Sequence, residues 1–195
     1  MTCFCSARRS LKGLHQGNEL HKLWLLTHQH NRASVTMDTY NTENMDVDPT
    51  KMHELVKEGE ELHSQLAAFS SALHLSMSAQ DISVAWMYYH ALSIYLSGIF
   101  DYTLSEVCAI PSLRDDEIAV HLEGILKRSD EALQRSSTSR VFLLLPLRIA
   151  GNRCSSWKQC QEVLSRIDIL RDQFAVATAF RTELLQIWSS RSLHA

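Results

Sequence analysis

An all-α fold is what this sequence predicts, and three observations predict it. Only six Gly and three Pro interrupt 195 residues, too few for the many turns of a β fold. From Pro49 onward, apolar residues recur at helical spacings with charged residues between them. The hydrophobic fraction of 45% and charged fraction of 21% belong to an ordinary globular chain, one long enough to bury a sizeable core. These features predict a packed bundle of about six helices over 49–195, behind a disordered leader over 1–48.

The leader is basic and rich in His and small polar residues, then turns acidic through Asp38, Glu43, Asp46 and Asp48. It carries too little apolar surface to offset the entropy of ordering. Met37 opens the acidic stretch, so residues 1–36 read as a leader either appended or wrongly assigned to the native protein. Asp48-Pro49 suits an N-cap followed by the first helical position. Met52, Leu55, Leu62, Leu66, Phe69 and Leu73 then form one apolar stripe opposite Glu54, Lys57, Glu58, Glu60 and Glu61.

A second helix, from about Asp81 to Tyr102, is apolar nearly all round, which marks a helix central to its core. If its Trp86 is buried, truncation to Ala costs about 3–5 kcal/mol. Ile110-Pro111 ends that region. Ser112 is the expected cap of a third helix, with Asp115, Asp116 and Glu117 complementing its dipole and Ile118, Leu122, Ile125, Leu126 and Leu133 on its apolar face.

The fourth helix is expected from Ser137 to Asn152, kinked or started by Pro146 and stopped at Gly151-Asn152. Its run Val141–Leu145 also fits a buried strand, although no partner strand is visible. A fifth helix from Ser156 carries Trp157, Cys160, Val163, Leu164, Ile167 and Leu170. The sixth carries Val176, Phe180, Leu184, Ile187 and Trp188.

Several function classes lose support at this stage. A net charge of −3 argues against a whole-surface grip on nucleic acid. The longest apolar run, Val141–Leu147, is far short of the roughly 20 residues that cross a bilayer. The odd, irregular set Cys3, Cys5, Cys108, Cys154 and Cys160 reads as reduced thiols rather than a disulfide framework. Cys154 and Cys160 are spaced too far apart to share a metal on one straight helix, and packing is the expected role of Cys160. His15, His21, His28 and His30 fall in the leader without a reliable set of further donors. No phosphate loop, metalloprotease motif or nucleophile elbow is present. The expectation is therefore no enzyme, no catalytic or metal-ligating residue, and no cofactor.

Two segments carry a resemblance. The first is Ala85-Trp86-Met87-Tyr88-Tyr89-His90-Ala91-Leu92, running on to Tyr102. The second is Leu145-Pro146-Leu147-Arg148-Ile149-Ala150-Gly151, followed by Phe174-Ala175-Val176-Ala177-Thr178-Ala179-Phe180 and then Leu184 to Trp188. In this order they resemble the C-terminal, fungal-specific regulatory region of zinc-cluster transcription factors, over roughly residues 80 to 190. Gln173 departs from the Gly that the family commonly has before the Phe. The family's DNA-binding unit gathers closely spaced cysteines around zinc, whereas Cys3-x-Cys5 is the only close pair in this chain and lacks the remaining ligands.

The resemblance implies a transcription-regulator-like protein in the nucleus, with the cytoplasm as the alternative, tied to pathway-specific control of metabolism in fungi. It implies a protein partner, either the transcription machinery or a related factor, and allows a homo- or heterodimer. The missing ligands, by contrast, make direct DNA binding through a zinc cluster unexpected for this chain. Tyr88, Tyr89, His90 and Arg148 are the candidates for an effector or partner pocket. The plainer alternative packs Tyr89 in the core, satisfies His90 by a hydrogen bond, and pairs Arg148 with Asp101 or Glu183. Other readings of the whole chain are a helical module that binds a ligand or peptide without DNA and, behind it, an enzyme of unfamiliar type.

Overall fold

The computed structural model describes residues 49–76, 82–103, 113–134 and 140–193. These residues form six α-helices and one 3-10 turn, with no strand among them. The helices are α1 (Pro49–Ser76), α2 (Ile82–Thr103), α3 (Asp115–Leu133), α4 (Leu144–Asn152), α5 (Trp157–Arg171) and α6 (Ala175–Ser190). The all-α prediction therefore holds. The leader lies outside the described residues, as do Asp48, Asp81, Ile110-Pro111, Ser137, Cys3, Cys5, Cys108 and the His group before residue 31.

By compactness the chain falls into two units, Met1–Met77 with Tyr95–Ser112, and Ser78–Ile94 with Leu113–Ala195. In the first, α1 buries Leu62, Leu66, Phe69 and Leu73, spaced so that all four share one helix face. Glu54, Lys57, Glu58, Glu60 and Glu61 are exposed, as the stripe predicts. From the C-terminal part of α2, Leu96 and Ser97 are buried in this unit.

The second unit holds the N-terminal half of α2 together with α3 to α6. Here α2 buries Ser83, Ala85, Met87, Ala91, Leu92, Ser93 and Ile94, which fits a helix apolar nearly all round. Helix α3 starts later than its expected cap. Arg114, in extended conformation, is the N-cap residue rather than Ser112. Its backbone N–H donates to the Glu117 carboxylate at 2.9 Å, so the acidic first turn itself satisfies the entry to the helix.

Pro146 marks a start, not a kink. Arg140–Leu143 form a 3-10 turn that runs straight into α4. Pro146 then falls within the first turn of α4, where backbone N–H groups have no intrahelical acceptor to lose. The apolar run is thus split, with Val141 and Phe142 exposed while Leu143, Leu144 and Leu147 are buried. Helix α5 begins at Ser156, whose hydroxyl accepts from the Gln159 N–H, and packs against α3, α4 and α6. It buries Cys160, Val163, Ile167 and Leu170.

The turn into α6 needs no glycine. Gln173 and Phe174 N–H groups both donate to Leu170 O, at 3.1 and 3.0 Å. Ser192 is the only non-glycine residue with positive φ among those described, so Gln173 sits in backbone that any L residue adopts. The buried face of α6 is rotated from its expected phase. Ala177, Leu184 and Trp188 are buried, whereas Val176 is exposed and Phe180 and Ile187 are half-buried.

Candidate functional site

The candidate residues of α2 meet α3. His90 Nδ1 lies 3.0 Å from His121 Nδ1. The His90 ring also packs edge-on against Tyr89, at 5.3 Å between centroids, and lies tilted against Trp86 at 5.9 Å. Tyr89 reaches His121 at 5.8 Å. One position on α3 makes this approach feasible. A Cβ added at Gly124 would lie 2.5 Å from His90 Nε2 and 2.6 Å from Cδ2, inside the ring's own contact shell, so glycine leaves the space that the imidazole fills.

Seven residues before His90, on the same face of α2, Ser83 donates to Glu131 at 2.8 Å. Glu131 in turn accepts two hydrogen bonds from Arg128, at 2.9 and 3.2 Å. The pairing of Ser83 with Glu131 and of His90 with His121 makes the two segments antiparallel.

Burial sets the charge states at this contact. Desolvation pushes His90 down to about 4, with His121 and Arg128 opposing its charge as well. His121 is also lowered by burial, against a favourable influence from Glu117. Both rings are therefore neutral near pH 7 and share one N–H between two Nδ1 atoms. Tyr88 is half-buried on the same helix, and burial raises its phenol above the ordinary value.

Arg148 is engaged elsewhere. On α4 it forms a bidentate pair with Glu183 of α6, at 2.8 and 2.5 Å, and its guanidinium stands 5.3 Å from the Phe180 ring centroid. The hydrogen bond from Arg148 holds the Glu183 carboxyl below its usual range. Of the two partners expected, Glu183 is the one observed, while the Asp101 side chain lies outside those described. One turn along, Gly151 lets α6 approach closely, since a Cβ there would lie 2.6 and 2.7 Å from the two methyls of Leu184. Trp188 Nε1 donates to Gly151 O at 2.8 Å. The Leu-Arg-Ile-Ala-Gly segment is thus the α4 half of a packed seam, and Arg148 is its half-exposed clasp.

Cys154 and Cys160 interact because Cys154 precedes α5 in the connecting turn, so the two do not lie on one straight helix. Both are buried free thiols. They are hydrogen-bonded to each other, and burial raises both. Buried, protonated thiols are poor nucleophiles and poor ligands, so packing describes them. Among the described residues, no group of three or more His, Cys, Asp or Glu is arranged to hold a metal. An open depression lies along α6, lined by Thr182, Leu185, Gln186, Ser189 and Ser190, and none of the four candidate residues lines it.

Sequence reasoning named His90 but not His121, Gly124 or the Trp86 contact. In the linear sequence His121 is one of ten His, and nothing near it ties it to α2. The seam was more legible, because Glu183 and Gly151 were both singled out. Comparison with protein-family models, with curated proteins and with solved structures gave no match.

Proposed function

We propose that the chain is a helical regulatory module of the kind found in fungal zinc-cluster transcription factors, acting through a protein partner. The observation that supports this is the use made of the family-like segments. Pro146 to Gly151 and Leu184 to Trp188 interlock through Gly151–Leu184 and the Trp188 hydrogen bond, beside the Arg148–Glu183 pair. Residue types that recur together in order are explained when they are each other's packing partners. In this reading the module acts in the nucleus, and its contact with a protein partner is what links it to gene control.

The decisive experiment fuses the full chain to an unrelated DNA-binding domain in a fungal reporter strain. The expected result is a several-fold change in reporter output, with nuclear recovery of the unfused chain. Reporter output equal to that of the DNA-binding domain alone, with the unfused chain confined to the cytoplasm, would overturn the proposal.

A further inference from the structure

The His90–His121 contact has a protonation logic of its own. An Nδ1–Nδ1 distance of 3.0 Å requires one ring to present an N–H and the other a lone pair. Two neutral rings of opposite tautomer satisfy it. So does one imidazolium beside one neutral ring, and the bond is then charge-assisted and stronger. Two imidazolium rings cannot satisfy it, because two N–H groups and two positive charges would face each other across the contact. The first proton is accommodated and the second is not.

The surroundings assign the order of those protons. On α3, Glu117 favours charge on His121, while Arg128 opposes charge on His90. Glu131, the remaining carboxylate at this face, is occupied by Arg128 and Ser83. From α2 itself, the groups against His90 are the uncharged rings of Trp86 and Tyr89. The charged groups that bear on the two rings, Glu117 and Arg128, both stand on α3. The His90 ring fills the space beside Gly124 on α3, and parting of the two helices separates a doubly charged pair.

We infer that the His90–His121 contact is a proton-operated latch, holding the N-terminal half of α2 on α3 while at most one ring is protonated and releasing it when both are. Release leaves the α4–α6 seam intact, because none of its contacts includes either ring. The Ser83–Glu131 hydrogen bond is a second polar tie, at the far end of the same face.

Amide exchange of the full chain, followed from pH 7 to pH 3.5 and corrected for intrinsic rates, tests this. Protection across Ile82–Ile94 is expected to fall by roughly tenfold or more between about pH 6.5 and about pH 4 and then to level off, while α5 keeps its protection. His121→Asn, which accepts a hydrogen bond but takes no proton, should keep α2 protected through the same range. Simultaneous loss in α5, retention of α2 in the natural chain, or opening of the variant at the same pH would each overturn the latch. NMR titration of the ring C–H signals decides the matter should the variant fail to fold. Two coupled steps, the second near pH 4, are expected. Independent titration of both rings at the ordinary His value would refute the inference.

Discussion

The α4–α6 seam and the α2–α3 face use opposite means to hold helices together. At the seam, size complementarity dominates. Gly151 takes the methyls of Leu184, and Trp188, only 1% exposed, spends its one polar atom on the Gly151 carbonyl. At the α2–α3 face the rings of Trp86, Tyr89, His90 and His121 are all half-buried, and a shared proton and the Ser83–Glu131 hydrogen bond make the polar ties. Each face has a glycine that admits a partner's side chain, Gly151 for Leu184 and Gly124 for His90. The difference lies in what is admitted. A leucine makes a contact indifferent to pH, whereas an imidazole makes one that depends on protonation.

Four measurements would sharpen or break this contrast. Trp188→Ala should give the largest effect, a loss of about 3–5 kcal/mol in urea unfolding, because a fully buried indole and its hydrogen bond both go. A loss under 1 kcal/mol would mean that the seam is not fully packed.

Acid should come next. His90 titrates near 4 in the folded chain and near 6.5 unfolded. The unfolded chain thus takes up the proton first as pH falls. Stability should decline from about pH 6.5 to about pH 4 and then level off, by on the order of 2 kcal/mol. Unfolding midpoints that stay constant over that window would remove the pH dependence from the α2–α3 face.

Trp86→Ala should cost less than the value expected for a buried ring. Trp86 is half-buried with its ring against Tyr89 and His90, so about 2 kcal/mol is expected in place of the full truncation value. Equal losses for Trp86 and Trp188 would erase the distinction between the two faces. Glu183→Gln should be smallest. The Arg148–Glu183 pair is 35% and 36% exposed, where water and salt screen the attraction, so a loss below about 1 kcal/mol is expected, shrinking further in added salt.

Residue patterns alone carried a good deal of this molecule. The stripe of Leu62, Leu66, Phe69 and Leu73 appears as the buried face of α1, and Ser156 caps α5 as its position before an apolar period suggests. Arg148 pairs with Glu183 as one of its two expected partners. Misses came where a neighbour, not the local pattern, set the outcome. Helix α6 buries Ala177 rather than Val176 because Leu184 and Trp188 must face Gly151, and that fixes the rotation of the whole helix. Cys154 reaches Cys160 because a turn, not a helix, carries it.

What the sequence by itself determined is the helical class, most element boundaries and the apolar faces, since periodicity and breaker residues act over a turn or two of chain. What only the tertiary structure decided is which faces meet. His121 lies 31 residues from His90, and no local rule joins two imidazoles across that separation. Helix packing brings them within one proton's reach, and the pairing of distant side chains is a property of that packing.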